Sequence, residues 1–226
     1  MPRASKRKAD PPNSSSVTSS ADYRAGKIRL TGTGRIDCLF GTYANSSLGM
    51  IDPEGIEALC SDMKVAYTDV RILMLAWKMK AQKQGFFTLE EWRTGLKALQ
   101  ADSLIKLKKA LPKLEFEVGT AENFEDFYSY AFRYCLTEEK QRSIDIESIC
   151  ELLNIVLRPH FCSKVDSLME YLRIQSDYKV INWDQWMSFL RFFKEISFPD
   201  FKNYDDNDAW PLILDNFVDW MKEKHR

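Results

Sequence analysis

The sequence predicts an all-α fold: an EF-hand-like helical domain made of two metal-free helix–loop–helix pairs, preceded by a disordered N-terminal tail. Three observations predict it. From Arg35 onward apolar residues recur at helical spacing. Only short stretches around Phe86-Phe87, Ile144 and Val180-Ile181 read as extended, and two such stretches can pair as small bridges between helices. Finally, four loop centres fall into two pairs of almost equal separation.

Residues 1–34 hold Pro11-Pro12, two serine clusters and almost no large apolar side chain. Such a segment buries too little surface to offset its chain entropy, so it is expected to be disordered, and residues 35–226 form the folded domain. Arg3, Lys6, Arg7 and Lys8 make a compact basic cluster within the tail. A nuclear-import signal and a simple solubilising tail both fit it, so nucleus and cytoplasm are the expected compartments.

In the folded part, Val70 to Gln82 is apolar on nearly every side, the mark of a helix covered by several neighbours. Asp102-Ser103 reads as an N-cap ahead of Leu104, Leu107, Leu111 and Leu114, a stripe that runs past Pro112, where a kink or break is expected. Phe124–Tyr134, Ile146–Leu157, Val165–Arg173 and Trp183–Ile196 carry comparable helical patterns.

The loops between these helices echo a calcium-binding EF-hand loop, which carries Gly at position 6, an apolar residue at 8 and carboxylates at 1, 3, 5 and 12. With Gly49 at position 6, Ile51 falls at 8, but positions 1, 3, 5 and 12 become Ala44, Ser46, Leu48 and Gly55. With Gly85 at 6, Phe87 falls at 8 and only Glu91, at 12, keeps a carboxylate; Lys80, Gln82 and Gln84 fill the other positions. Weaker echoes centre on Ile144 and Ile181. Ile51 and Phe87 are 36 residues apart, Ile144 and Ile181 are 37 apart, as expected when two loops pair. A hard cation needs several oxygen ligands, and Lys80 puts a positive charge where the first belongs. No calcium site is therefore expected, and no cofactor of any kind.

Composition narrows the function further. The net charge of -1 gives no global attraction to nucleic acid, so neither nucleic-acid nor membrane binding is expected. No apolar run approaches the roughly eighteen residues needed to span a bilayer, and the N-terminus has no secretory h-region. Five cysteines, an odd number without a C-x-x-C pair, suit reduced thiols. Of two histidines only His160 lies near a thiol, Cys162, without a second ligand pair for zinc. There is no glycine-rich phosphate loop. Neither catalytic nor metal-ligating residues are assigned, and a monomeric binding scaffold is the expectation.

The richest stretch is Asn203 to Trp220, NYDDNDAWPLILDNFVDW, with five aspartates and no Lys or Arg. Pro211 suits a first helical turn, with Asp205, Asp206 and Asp208 ahead of it. Trp210, Ile213, Leu214, Phe217 and Met221 form an inward stripe, and Asp208, Asp215 and Asp219 an outward one. Capping plus ordinary solvation accounts for such aspartates; a face for a basic partner accounts for them equally.

The stretches DPEGIEALCSDM (52–63), AWKMKAQKQGFFTLEEW (76–92), DSLIKLKKALPKLE (102–115), YKVINWDQW (178–186) and NYDDNDAWPLILDNFVDW (203–220) resemble the defective-in-cullin-neddylation family, whose shared module is the potentiating-neddylation (PONY) domain. The resemblance covers about Ile36 to Lys222. It implies a calcium-free EF-hand-like fold and a scaffold-type, non-enzymatic ligase component. Such a scaffold promotes attachment of a ubiquitin-like modifier to cullins, holding the cullin's C-terminal winged-helix region and the modifier-charged conjugating enzyme together. The conjugating enzyme carries the thioester, and the scaffold acts by proximity and orientation.

Two sites follow from the resemblance. The family's cullin-binding trio falls on Asp184 in NWDQW, Ala209 in its A-W-P context and Asp215 in its D-x-F-V context. An apolar pocket for the acetylated N-terminus of the conjugating enzyme falls on Ile56, Ile72, Leu73, Leu75, Ala76, Met79, Phe87, Tyr134 and Ile155. Met79 and Tyr134 stand where other members often carry Phe. Many members also begin with a ubiquitin-associated domain, which residues 1–34 do not resemble, so direct ubiquitin binding is not carried over. An EF-hand-type sensor, or an interaction adaptor without neddylation activity, is the alternative reading, and a thiol ligase the enzymatic one.

Overall fold

The computed structural model describes residues 31–225, and the basic cluster Arg3, Lys6, Arg7 and Lys8 lies outside them, as does most of the expected tail. The described residues form ten helices with four very short strands, so the all-α expectation holds. The helical block opens slightly earlier than Arg35. Thr31 caps α1 (Gly32–Tyr43) by accepting from the Gly34 amide, and Ile36 and Phe40 anchor that helix in the core.

The first pair of helix–loop–helix units consists of α1, β1 (Ala44–Asn45), β2 (Met50–Ile51) and α2 (Pro53–Met63), followed by α3 (Val70–Met79) and α4 (Leu89–Ala98). Its two loops meet through an antiparallel bridge between Ile51 and Phe87, the two position-8 residues, with both N–H···O distances at 2.9 Å. Gly49 and Gly85, the position-6 glycines, both lie at positive φ, 66° and 79°, where a Cβ is disfavoured. α3 ends at Met79 rather than Gln82, because Lys80 turns left-handed and caps it.

Each loop is closed by its own side chains. Asn45 accepts from the Ser47 and Leu48 amides and donates to Asp52, which accepts from the Gly55 amide. In the second loop the one retained carboxylate, Glu91, accepts from the amides of Gln82 and Thr88 and from the Thr88 hydroxyl. Where a calcium loop converges oxygens on an ion, this loop converges amide donors on Glu91.

α5 (Leu104–Val118) connects to the second pair and runs unbroken through Pro112, against expectation. Pro112 is exposed, so the Lys108 carbonyl that loses its amide partner faces the solvent side. α6 (Ala121–Tyr134), β3 (Ser143–Asp145), α7 (Ile146–Val156), α8 (Arg158–Ile174), β4 (Val180–Asn182) and α9 (Trp183–Glu195) follow. β3 and β4 pair antiparallel with Ile144 opposite Ile181, the second matched pair of the sequence. The backbone leaves helical geometry once in α8, at Phe161.

α6 and α9 are joined by a reciprocal contact. The rings of Tyr128 and Trp186 stack at 4.2 Å; the Tyr128 hydroxyl donates to the Trp186 carbonyl (2.8 Å) and the Trp186 indole donates to the Tyr128 carbonyl (3.0 Å). Both residues are fully buried, and each polar atom thereby meets the condition for burial without penalty. α6 also reaches the first pair: the Tyr130 hydroxyl donates to the Ala81 carbonyl and the Trp77 indole to Asp126. The final helix, α10 (Leu212–Lys224), buries Ile213, Leu214, Phe217, Val218 and Met221. Pro211 stands one residue outside it as N-cap.

Candidate functional site: an apolar cavity and an acidic face

α3 is apolar all round because it is covered on several sides, by α4, α5 and α6, and still leaves one flank to a cavity. That cavity, about 470 Å³, opens between α3 and the loop after it on one side and the end of α6, β3 and α7 on the other. Seven of the nine residues assigned to the pocket line it: Ile56, Ile72, Leu73, Ala76, Phe87, Tyr134 and Ile155. Leu75 and Met79 do not. Both are fully buried beside the lining stripe of α3 rather than on it. There Met79 packs so tightly on α4 that a Cβ built at Gly95 would meet its Cγ at 2.4 Å.

The residues missed on the sequence are the polar rim and the far wall. Ile144 and Leu152 complete the apolar lining, and Asp69, Asp145 and Glu151 put carboxylates at its edge with no lysine or arginine among the lining residues. Asp69 caps α3 and holds Arg71 through two contacts of 2.9 and 2.6 Å; Asp145 caps α7 by accepting from the Ser148 amide. Their capping signals were readable; that they border one opening required the packing of the two pairs. Tyr134 is fixed by stacking on Tyr130 at 5.3 Å and by accepting from the Gly85 amide at 3.3 Å.

Cys135 also borders the cavity. Burial pushes its thiol up to about 11, and buried Cys60 and Cys150 are shifted the same way. An activated nucleophile needs the opposite shift. Among the described residues no cluster of three His, Cys, Asp or Glu groups could hold a metal, and no helix is long and apolar enough to cross a membrane.

The second surface stands on the opening turns of α9 and α10. Asn182 and Gln185 form a reciprocal capping box, each side chain bonding the other's amide at 2.9 and 3.0 Å. Asp184, between them, is exposed on that rigid first turn. The long connection after α9 is held down by Asn203, which accepts from the Ser197 amide and donates to the Glu195 carbonyl, both at 2.7 Å. Lys164 closes the end of α9 by donating to the carbonyls of Phe193 and Ile196.

Trp210 plugs the turn before α10. It meets Phe192 edge to face at 5.4 Å, with the Arg191 guanidinium over its ring at 4.3 Å. That burial turns neighbouring Asp208 and Ala209 outward, both exposed. Asp215, in the first turn of α10, is half-buried and accepts a hydrogen bond from the Tyr204 hydroxyl. Its charge also reaches Tyr178, just before β4, and helps raise that phenol after burial. Ala209 and Asp215 thus flank the start of α10, while Asp184 belongs to the preceding helix. Asp208 lies outside α10, so the helical spacing that grouped it with Asp215 and Asp219 does not apply; its exposure comes from the turn instead.

A family model described as cullin binding matches residues 106–220. The chain is 40% identical over 189 residues to DCN1-like protein 4 of Homo sapiens, covering 82% of this chain and 62% of that protein. It is 38% identical over 176 residues to DCN1-like protein 5 of Homo sapiens, covering 76% of this chain and 71% of that one. DCN1-like protein 2 of Dictyostelium discoideum is 38% identical over 179 residues, covering 78% and 65%. The chain therefore spans less than two thirds of the length of DCN1-like protein 4.

Proposed function

Because this chain belongs to the cullin-binding, DCN1-like family, we propose that it serves cullin neddylation as a non-catalytic scaffold. In this reading residues 35–226 act as one module that holds a cullin winged-helix region and a modifier-charged conjugating enzyme at once, and works as a monomer in nucleus or cytoplasm. The observation that carries the reading is the presence of two surfaces of different chemistry that share no residue. One is an open cavity with an apolar lining, the other an acidic surface at the starts of α9 and α10, where Asp184 and Ala209 are exposed and Asp215 is half-buried. Each partner can therefore be bound without displacing the other, which is what catalysis by proximity requires.

The cavity suits an acetylated chain end. Seating a free α-ammonium among Ile72, Leu73, Ala76 and Ile155 would desolvate a charge on the apolar wall, away from the carboxylates at the edge, whereas an acetylated amide brings no charge. The raised thiols of Cys60, Cys135 and Cys150 make these three poor carriers of a thioester.

The test is a reconstituted cullin-modification assay with wild type, Asp184→Lys and Asp215→Lys. Both variants are expected to lose stimulation while retaining affinity for an acetylated N-terminal peptide of the conjugating enzyme. Stimulation unchanged by both reversals would refute the assigned face. A reducible adduct between modifier and this chain would replace the scaffold by a thiol ligase.

A further inference from the structure

α10 buries five apolar side chains and half-buries Trp220, but leaves its first residue out. Ile213, Leu214, Phe217, Val218 and Met221 are at most 2% exposed, whereas Leu212 is 64% exposed. Leu212 occupies the first helical position, directly after Pro211, at a helix start with no side-chain cap. At such a position an acidic or hydroxyl side chain would favour the unpaired amides and the positive end of the helix, and leucine gives neither benefit. Folding therefore gains little from this residue being apolar.

Its neighbours define a pattern. Leu212 lies three residues after Ala209 and three before Asp215, so that in the helix Leu212, Asp215 and Asp219 follow at i, i+3 and i+7 on one side. An apolar side chain is thus set beside Asp215 and Asp219, with the Arg191 and Lys222 cations held over the Trp210 and Tyr204 rings. The Asn203–Trp220 stretch itself holds no Lys or Arg. Binding interfaces concentrate their energy in a few apolar or aromatic anchors ringed by polar contacts.

We propose that Leu212 is the apolar anchor of the acidic face. It inserts into a hollow on the partner whose rim is basic, so that Asp184 and Asp215 steer and orient the partner while Leu212 sets how long it stays. This rests on the cullin-binding reading and makes the recognised surface a basic-rimmed apolar hollow on the winged-helix region. Charge alone would give a contact that fades with salt. An anchored contact retains a salt-independent part.

The experiment is a calorimetric titration of the full chain with an isolated cullin winged-helix domain at low and high ionic strength, using wild type, Leu212→Ala, Leu212→Met and Asp215→Asn. Leu212→Ala is expected to bind about tenfold more weakly at both salts with an unchanged salt dependence, since a buried leucine is worth about one order of magnitude in affinity. Leu212→Met should retain most of the affinity, and Asp215→Asn should flatten the salt dependence. Thermal melting of Leu212→Ala should match wild type, because the side chain is exposed. If Leu212→Ala binds like wild type while Asp215→Asn is weakened, the anchor is wrong and the acidic face stands. If wild type does not bind, both fall. If Leu212→Ala instead removes a self-association seen by sedimentation, the face pairs copies of this chain and the anchor proposal is overturned.

Discussion

The hydroxyl of Tyr204 donates a hydrogen bond to the Asp215 carboxylate, tying the connection after α9 to the first turn of α10. Burial, then this bond and the surrounding aspartates, raise the phenol well above its ordinary value, so it remains a donor throughout the physiological range. The Lys222 ammonium lies 5.6 Å from the centre of the same ring. Asp215 is thus held in one orientation before any partner arrives, at the cost of one acceptor site already in use.

Removing that hydroxyl separates orientation from charge. Tyr204→Phe is expected to weaken cullin binding about threefold to tenfold, the scale of one hydrogen bond to a partly exposed carboxylate, roughly 1 kcal/mol. The net charge is untouched, so the dependence of affinity on salt should match wild type, unlike Asp215→Asn. Equal affinity for wild type and Tyr204→Phe at both ionic strengths would show that preorganisation of Asp215 contributes nothing.

The two flanks of α3 should respond differently to truncation. Met79 is fully buried against Gly95, so Met79→Ala leaves a void and should cost about 2–5 kcal/mol of stability. Ile72 is only partly buried, on the cavity wall. Ile72→Ala should leave melting within a few degrees of wild type yet reduce affinity for the acetylated peptide. Chemical denaturation and peptide titration of the two variants give the comparison; loss of peptide affinity confined to Met79→Ala would reverse the assignment of Met79 to the core and Ile72 to the cavity.

This division of α3 marks where sequence reasoning reached its limit. Ile51–Phe87 and Ile144–Ile181 were legible as partners because position 8 of each loop is tied to a glycine or to a fixed spacing, which are local features. So was the inward stripe of α10, which helical period alone determines. The resemblance put Leu75 and Met79 with Ile72 and Leu73, and a helix apolar on every side offers no period of its own to tell core from cavity. What buries Met79 is Gly95, whose missing Cβ lets α4 close over it. Pro112 misled for a related reason: its effect on α5 depends on which side faces water. The loss of position 12 in the first loop is likewise a packing fact. A Cβ at Gly55 would lie 2.2 Å from the Tyr43 carbonyl oxygen, so no carboxylate fits there.

Glu91 provides a test of the metal-free loop. Its carboxylate serves the Gln82 and Thr88 amides at 3.0 and 2.7 Å, leaving those donors without an acceptor if it is removed. Glu91→Ala is expected to destabilise the protein by about 1–3 kcal/mol. Millimolar calcium should leave the melting temperature of wild type unchanged, since one carboxylate already engaged by amide donors does not make a hard-cation site. A calcium-dependent rise in wild-type melting temperature that disappears in Glu91→Ala would restore the sensor reading.

α1 is fastened to the helices behind it by charge, and the acid response of that fastening has a definite sign. The Arg35 guanidinium and the Lys106 ammonium both reach Asp102, the latter at 2.8 Å. Lys106 first, then Arg35, pull the carboxyl down to about 2, below the value of about 3.9 for a free aspartate. A group whose folded pKa is depressed binds fewer protons folded than unfolded, so its contribution is present above the unfolded value and lost as pH falls through the folded one. Asp102→Asn should therefore melt below wild type at pH 7, by a difference that is constant down to about pH 5 and closes between about pH 4 and pH 2. Arg93 pairs with Asp37 at 2.7 and 2.8 Å and the Trp92 indole donates to the Ile36 carbonyl, so α1 stays docked in the variant and the melt remains a single transition. A wild-type advantage that persisted undiminished at pH 2 would mean that Asp102 acts through packing rather than through its charge.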